Sequence, residues 1–214
     1  MKKLLIFPLL FIGFNANARC ESDVIGPKWK VGIIAAGHYS SPFYGLNPVF
    51  LPGIQVNRVV GKFELRAAVE YTKLSSARFG RPDYAWMDGF SNRAVLRLGI
   101  ERSFNLCNRF AVYGAADLAA QFTRSEIETF GCFGPIGIVD SRSKGVGIIP
   151  AVGMRFKLGQ RVTIFAEYRA EVFLNDVTDK IIYDGGNIDT RPVRYNSADF
   201  RFGNIGHVGV QIAF

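Results

Sequence analysis

The sequence predicts an all-β fold, a closed up-and-down antiparallel barrel of eight strands, on three observations. Segment after segment alternates apolar and polar residues with period two, the mark of a strand with two unlike faces. The 23 Gly, 19 Phe, 8 Tyr and 2 Trp against 3 Met suit strands and turns better than a helical bundle. The connections between the alternating segments are short and long by turns. With 49 % apolar and 21 % charged residues, 214 residues can build one substantial core, which excludes disorder.

An address precedes the strands. Met1-Lys2-Lys3 is basic, Leu4 to Phe14 is apolar apart from Pro8 and Gly13, and Ala16-Asn17-Ala18 offers the small residues a signal peptidase requires. Residues 1–18 are therefore expected to be a cleaved signal peptide, 19–28 a periplasmic tail and 29–214 the barrel. Arg19 stands where a lipobox before Cys20 would carry Gly, Ala or Ser, which argues against a lipid anchor. No later run is apolar for the ~18 residues of a transmembrane helix.

Weak alternation marks 29–39 and 51–60 as the first two strands. In 62–73, Phe63, Leu65, Ala67, Val69 and Tyr71 alternate with Lys62, Glu64, Arg66, Ala68, Glu70 and Thr72, an order no amphipathic helix keeps. Segment 93–104 sets Ala94, Leu96, Leu98 and Ile100 against Arg93, Val95, Arg97, Gly99 and Glu101. In 110–123, Phe110, Val112, Leu118 and Phe122 oppose Ala111, Tyr113, Asp117 and Gln121. A weaker segment, 146–158, carries Arg155. In 162–173, Val162, Ile164, Tyr168 and Val172 oppose Phe165, Glu167, Arg169 and Glu171; in 200–214, Phe202, Val208, Val210, Ile212 and Phe214 oppose Arg201, His207, Gly209 and Gln211.

Short connections fall at Val60-Gly61, Asn105 to Asn108 and Gly159 to Arg161. Long ones run 40–50, 74–92, 124–144 and 174–199 and carry the Pro, Gly, Asp and Asn of surface loops. A sheet with tight turns at one end and long loops at the other suits a transmembrane barrel with short periplasmic turns and long extracellular loops. Each segment is long enough for the ~9–11 tilted residues that cross the hydrocarbon.

Two features put the apolar face outside. The polar face carries Lys62, Glu64, Arg66, Glu70, Arg93, Arg97, Glu101, Asp117, Arg155, Glu167, Arg169, Glu171 and Arg201, near balance in sign and interleaved with Gly and Ala. Such a set can close on itself inside a narrow barrel, where each buried charge needs a partner. On the other face aromatics gather at segment ends, at Trp29, Tyr39, Phe63, Tyr71, Phe110, Phe122, Phe202 and Phe214, the levels of the two headgroup girdles. Arg58, Lys73, Arg102 and Arg124 share that outward parity near the ends, where long side chains snorkel.

The octapeptide His207-Val208-Gly209-Val210-Gln211-Ile212-Ala213-Phe214 fits polar-x-Gly-x-x-apolar-x-aromatic. It resembles the C-terminal signal by which outer-membrane β-barrel proteins meet the barrel assembly machinery, and 29–214 resembles the small eight-stranded OmpA/OmpX-like barrels in architecture. The resemblance implies that His207 fills the polar place, Gly209 the glycine, Ile212 and Phe214 the apolar and aromatic places. Ile212 stands where an aromatic is commoner.

The interior of so small a barrel is filled by side chains, so the polar stripe is expected to be a plug that specifies the fold, not a pathway for sugars. Glu64, Arg66, Arg97, Glu101, Asp117, Arg155, Glu167, Arg169 and Arg201 are its expected members. Cys20 and Cys107 lie on the same expected periplasmic side, where a disulfide is feasible, leaving Cys132 free; three unpaired thiols is the alternative. Two His and three scattered Cys argue against a metal site. No cofactor is expected.

The +8 formal charge raises nucleic acid as a partner, but no polybasic strip with interleaved aromatics exists, so that partner is excluded. Expected instead are outer-membrane lipids and lipopolysaccharide, the assembly machinery, and an unidentified partner for the loop aromatics Phe43, Tyr44, Tyr84, Trp86, Phe90, Phe130 and Phe133. The expected protein is a monomeric, non-enzymatic outer-membrane barrel of a Gram-negative bacterium with a structural or surface-interaction role. Two alternatives stand beside it. His38 and Ser40 share a strand face, with Glu70 or Glu126 as orienter, and the pair resembles the His-x-Ser pair of some outer-membrane lipid A deacylases, which implies a lipid A-modifying hydrolase. Turned inside out, the same strands would make a lipocalin-like carrier of an apolar ligand.

Overall fold

The computed structural model describes residues 29–38, 49–79, 86–131, 134–183 and 191–214. They form eight strands: β1 Trp29–His38, β2 Val49–Val60, β3 Phe63–Phe79, β4 Trp86–Asn105, β5 Phe110–Gly131, β6 Gly134–Lys157, β7 Val162–Tyr183 and β8 Val193–Ala213. Each pairs antiparallel with its neighbour in sequence, and β8 returns to β1 through Lys30↔Ala213 to His38↔Ile205, closing the ring. Closure leaves the ring itself without free edges.

The turns at one end are tight. Gly61, at φ 62°, takes the left-handed conformation that lets Val60 pair directly with Phe63. Lys62 sits in this turn and is exposed, so it does not belong to the interior face assigned to it from alternation. Leu106 N–H and Cys107 N–H both donate to the Phe110 carbonyl, at 2.9 and 3.1 Å, and Leu158 N–H donates to Val162 at 3.0 Å.

At the other end the strands run further than expected. Most of 74–92, 124–144 and 174–199 is not loop but continued hairpin: the β5–β6 ladder extends through Ser125↔Ser141 to Gly131↔Gly134, and β7–β8 through Asp179↔Val193. Alternation fades there because both faces of a projecting hairpin meet water, while the backbone ladder still forms. Among the described residues the β1–β2 ladder ends at His38↔Val49. The β2–β3 ladder stops at Gly53↔Glu70, one residue short of Pro52, which has no N–H to donate.

The two faces are sorted as the alternation requires. Leu98 and Leu118 are 66 % and 70 % exposed, whereas Arg97 and Glu101 between and beside them are 2 % and 1 % exposed. Val31, Ile33, Ile54, Leu65, Val69, Val146, Ile148, Met154 and Leu174 join the outer apolar belt. Trp29, Phe63, Phe156 and Phe214 border it near the tight turns, Tyr71, Phe122 and Tyr168 toward the long hairpins. Arg58 stacks over Trp29 at 5.3 Å and Arg102 over Phe63 and Phe104 at 5.8 and 5.1 Å, charged heads at the belt's margin. Tyr39 and the side chain of Phe202 lie outside the described residues.

The interior is not wholly polar. Val95, Ala119, Ile149 and Phe173 form one buried apolar layer, and Ile34, Ala68 and Phe165 another. Three inward rings face glycines on the neighbouring strand: Tyr113 opposite Gly153, Phe165 opposite Gly209 and Phe173 opposite Gly147. A Cβ on Gly147 would stand 2.7 Å from Phe173 Cδ1, and one on Gly209 would run into the Phe165 ring, so each ring lies flat across a strand only because no side chain is there.

Candidate functional site

The barrel's interior chemistry is concentrated in one network. Arg66 on β3 donates to Asp117 Oδ2 through Nη2 at 2.9 Å, with its Nε in ion-pair contact with Oδ1 at the same distance, and donates to Glu167 through Nη1 and Nη2 at 2.8 and 3.0 Å. Its Nη1 also reaches Glu101 at 3.4 Å. Arg97 on β4 donates to the same Asp117 at 2.7 Å and to Glu70 at 2.6 Å. Arg169 on β7 donates to Glu70 at 2.7 Å and to Glu167, and its Nη1 lies 3.1 Å from His207 Nε2.

Nearer the tight turns, Arg155 on β6 donates to Glu101 at 2.8 Å, Glu64 at 3.1 Å and Ser103 at 3.0 Å while lying over the Tyr113 ring at 4.7 Å. Lys30 also donates to Glu64, and Asn57 does so at 3.1 Å. Tyr113 donates its hydroxyl to Glu167 at 3.0 Å. The strands place these groups by parity alone: along β4 the inward positions read Glu101, Gly99, Arg97, Val95, Arg93. Gly99 leaves the space into which Asp117 folds.

With Lys30, Arg66, Arg97, Arg155 and Arg169 against Glu64, Glu70, Glu101, Asp117 and Glu167, the set has five cations and five anions and is close to neutral. An ion buried alone costs several kcal/mol, and this mutual engagement offsets it. Arg201 stands apart from the group it was expected to join. It lies beyond the Val95–Phe173 layer, half-open, and pairs with Asp199 at 3.3 Å. In that upper tier Arg93 holds Glu171 at 2.7 Å and Gln121 at 3.0 Å, with its guanidinium 5.4 Å from the Phe173 ring centre.

Glu70, Lys30, Tyr113 and His207 belong to the network although the expected membership omits them. Glu70, Tyr113 and His207 all have inward parity, the signal that could have added them. Lys30 lies in the weakly alternating first strand. His207, assigned above to the polar place of the assembly signal, is buried; Gly209 sits under Phe165, and Ile212 and Phe214 face outward.

Cys107 is exposed in the β4–β5 turn and has no disulfide partner among the described residues; Cys20 and Cys132 lie outside them. So do Ser40 and the side chain of His38. Of the two carboxylates considered as orienters for that pair, Glu70 is engaged by Arg97 and Arg169, and Glu126 lies beside Arg124 on the outer side. A lipocalin-like carrier needs an apolar-lined hollow and a charged exterior, the reverse of the arrangement observed.

No known family model matches the sequence, and no curated protein does. Among solved structures, the chain is similar to a major outer membrane protein from Thermus thermophilus, with TM-score 0.52 and 10 % identity over 87 % of this chain and 99 % of that one. It is also matched to Ail, the attachment invasion locus protein of Yersinia pestis, at TM-score 0.42 and 10 % identity over 87 % and 96 % of the two chains. Neisserial surface protein A matches at TM-score 0.38 and 16 % identity over 87 % and 94 %. The first likeness carries the fold. The chain has the architecture of the small outer-membrane β-barrel proteins, with eight strands and a closed ring.

Proposed function

We propose that this is an integral outer-membrane protein of a Gram-negative bacterium, exported through a signal peptide at 1–18, with a structural or surface-interaction role and no diffusion pathway for sugars. The observation that carries the reading is the belt of exposed Leu, Ile and Val around an interior of mutually paired charges. Water would not stabilise such an exterior, and a membrane would. The outward end supports a role in surface contact. There the β5–β6 and β7–β8 hairpins continue beyond the apolar belt, where loops and hairpin tips carry contacts with partners.

Fractionation tests this directly. After carbonate and salt washing, the protein stays with the outer membrane if the reading holds; recovery in the soluble periplasm would overturn it. The same reading includes a Cys20–Cys107 disulfide tying tail to turn. Thiol titration of the denatured, unreduced protein then finds one free thiol per chain, and three would remove the link.

A further inference from the structure

The outer face carries an ordered pair of tiers just beyond the apolar belt. In the first, Tyr71, Ala94 and Phe122 stand side by side on β3, β4 and β5, and one alternation further out come Lys73, Asn92, Arg124 and Arg142 on β3 to β6. Lys73, Asn92 and Arg124 line a cleft of about 600 Å³, with Gly89 and Phe90 in its wall and Glu126 and Glu128 at its outer end. Tyr71, in the tier below, donates its hydroxyl to Asn92 at 3.3 Å.

Lys73 has no carboxylate partner among the described residues. Arg124 is only loosely engaged, 3.5 Å from Asp140 and 3.8 Å from Glu126, and Asp140 is held more closely by Arg142 at 3.0 Å. Lys73 and Arg124 flank Asn92 on the two neighbouring strands. Strand spacing of roughly 4.8 Å lets both heads converge on one anion above the asparagine.

We propose that this cleft seats the phosphorylated sugar headgroup of a saccharolipid in the outer leaflet, its acyl chains lying along Leu96, Leu118 and Phe122. The phosphate falls between Lys73 and Arg124. A monoester dianion matches two cations better than the single charge of a phosphodiester, which distinguishes this lipid from a zwitterionic phospholipid. Asn92, Glu126 and Glu128 offer acceptors to sugar hydroxyls, and Phe90 an apolar surface. Continuity with the lipid-facing belt commits the occupant to a lipid. The inference rests on the outer-membrane reading above and gives the lipid partner of that reading a place.

Native mass spectrometry on the folded full chain in detergent micelles tests it, with four probes: bisphosphoryl lipid A, its dephosphorylated form, phosphatidylethanolamine and inorganic phosphate. The protein is expected to retain bisphosphoryl lipid A over the other three. Losing two charge-assisted contacts in Lys73→Ala/Arg124→Ala should weaken retention about tenfold or more. Asn92→Asp, which keeps both cations and sets a carboxylate between them, should weaken it as well and serves if the double variant fails to fold. Equal retention of the dephosphorylated lipid, unchanged retention by a folded variant, or displacement by millimolar inorganic phosphate would each overturn the site. A variant that loses lipid A but remains with washed outer membranes leaves the barrel reading intact, whereas wild-type protein in the soluble periplasm overturns that reading itself.

Discussion

Glu167 accepts hydrogen bonds from Arg66, Arg169 and Tyr113, three strands converging on one carboxylate. Glu167→Ala should therefore cost about 3–5 kcal/mol, because it leaves two guanidinium groups short of a partner in a dry interior. The shift in heat-induced unfolding of the detergent-solubilised barrel measures it. The double variant Arg66→Met/Glu167→Ala should lose less than the sum of the single losses, since removing both partners strands fewer charges. Additive losses would mean that the pair is not coupled. The parity of single residues was legible in the sequence, and with it which charges share a face. Which carboxylate each arginine grips was not, because register and side-chain reach across the lumen decide that, as they do for the separation of Arg201 from Arg66.

At the scale of strands, the apolar belt and the glycine–aromatic pairs make different demands. Leu98 lies mid-belt on β4 and faces outward, so Leu98→Arg should destabilise the barrel in bilayers by about 2–4 kcal/mol, as for an arginine at the hydrocarbon midplane. Arginine at Val193, out on the projecting part of β8, should have little effect; urea titration in lipid vesicles compares the two. Gly153→Val should displace the Tyr113 ring and with it the hydroxyl held by Glu167, lowering stability by about 1–3 kcal/mol through overpacking. The sequence revealed the stretches in which the two faces of each strand differ, because alternation is strongest there. It did not reveal how far the strands continue beyond them, because Ser125, Glu126, Asp140 and Ser141 satisfy a hairpin with water on both sides as readily as a loop.

For the whole molecule, the proposed function makes the closed ring, with charges locked inside and aliphatics outside, a membrane wall without a path for sugars. Liposomes reconstituted with the protein should show no swelling in response to sugars, and swelling comparable to a porin would mean that the network opens. The inversion of the usual core is the claim on which everything else depends. Single spin labels at Leu96, Leu98, Ile100 and Leu118 in lipid bilayers measure it most directly through collision with oxygen and with a water-soluble nickel chelate. Strong relaxation by oxygen and almost none by the chelate are expected at all four positions, with the opposite at Lys62 in the turn. Chelate access at Leu98 and Leu118 equal to that at Lys62 would contradict the inversion.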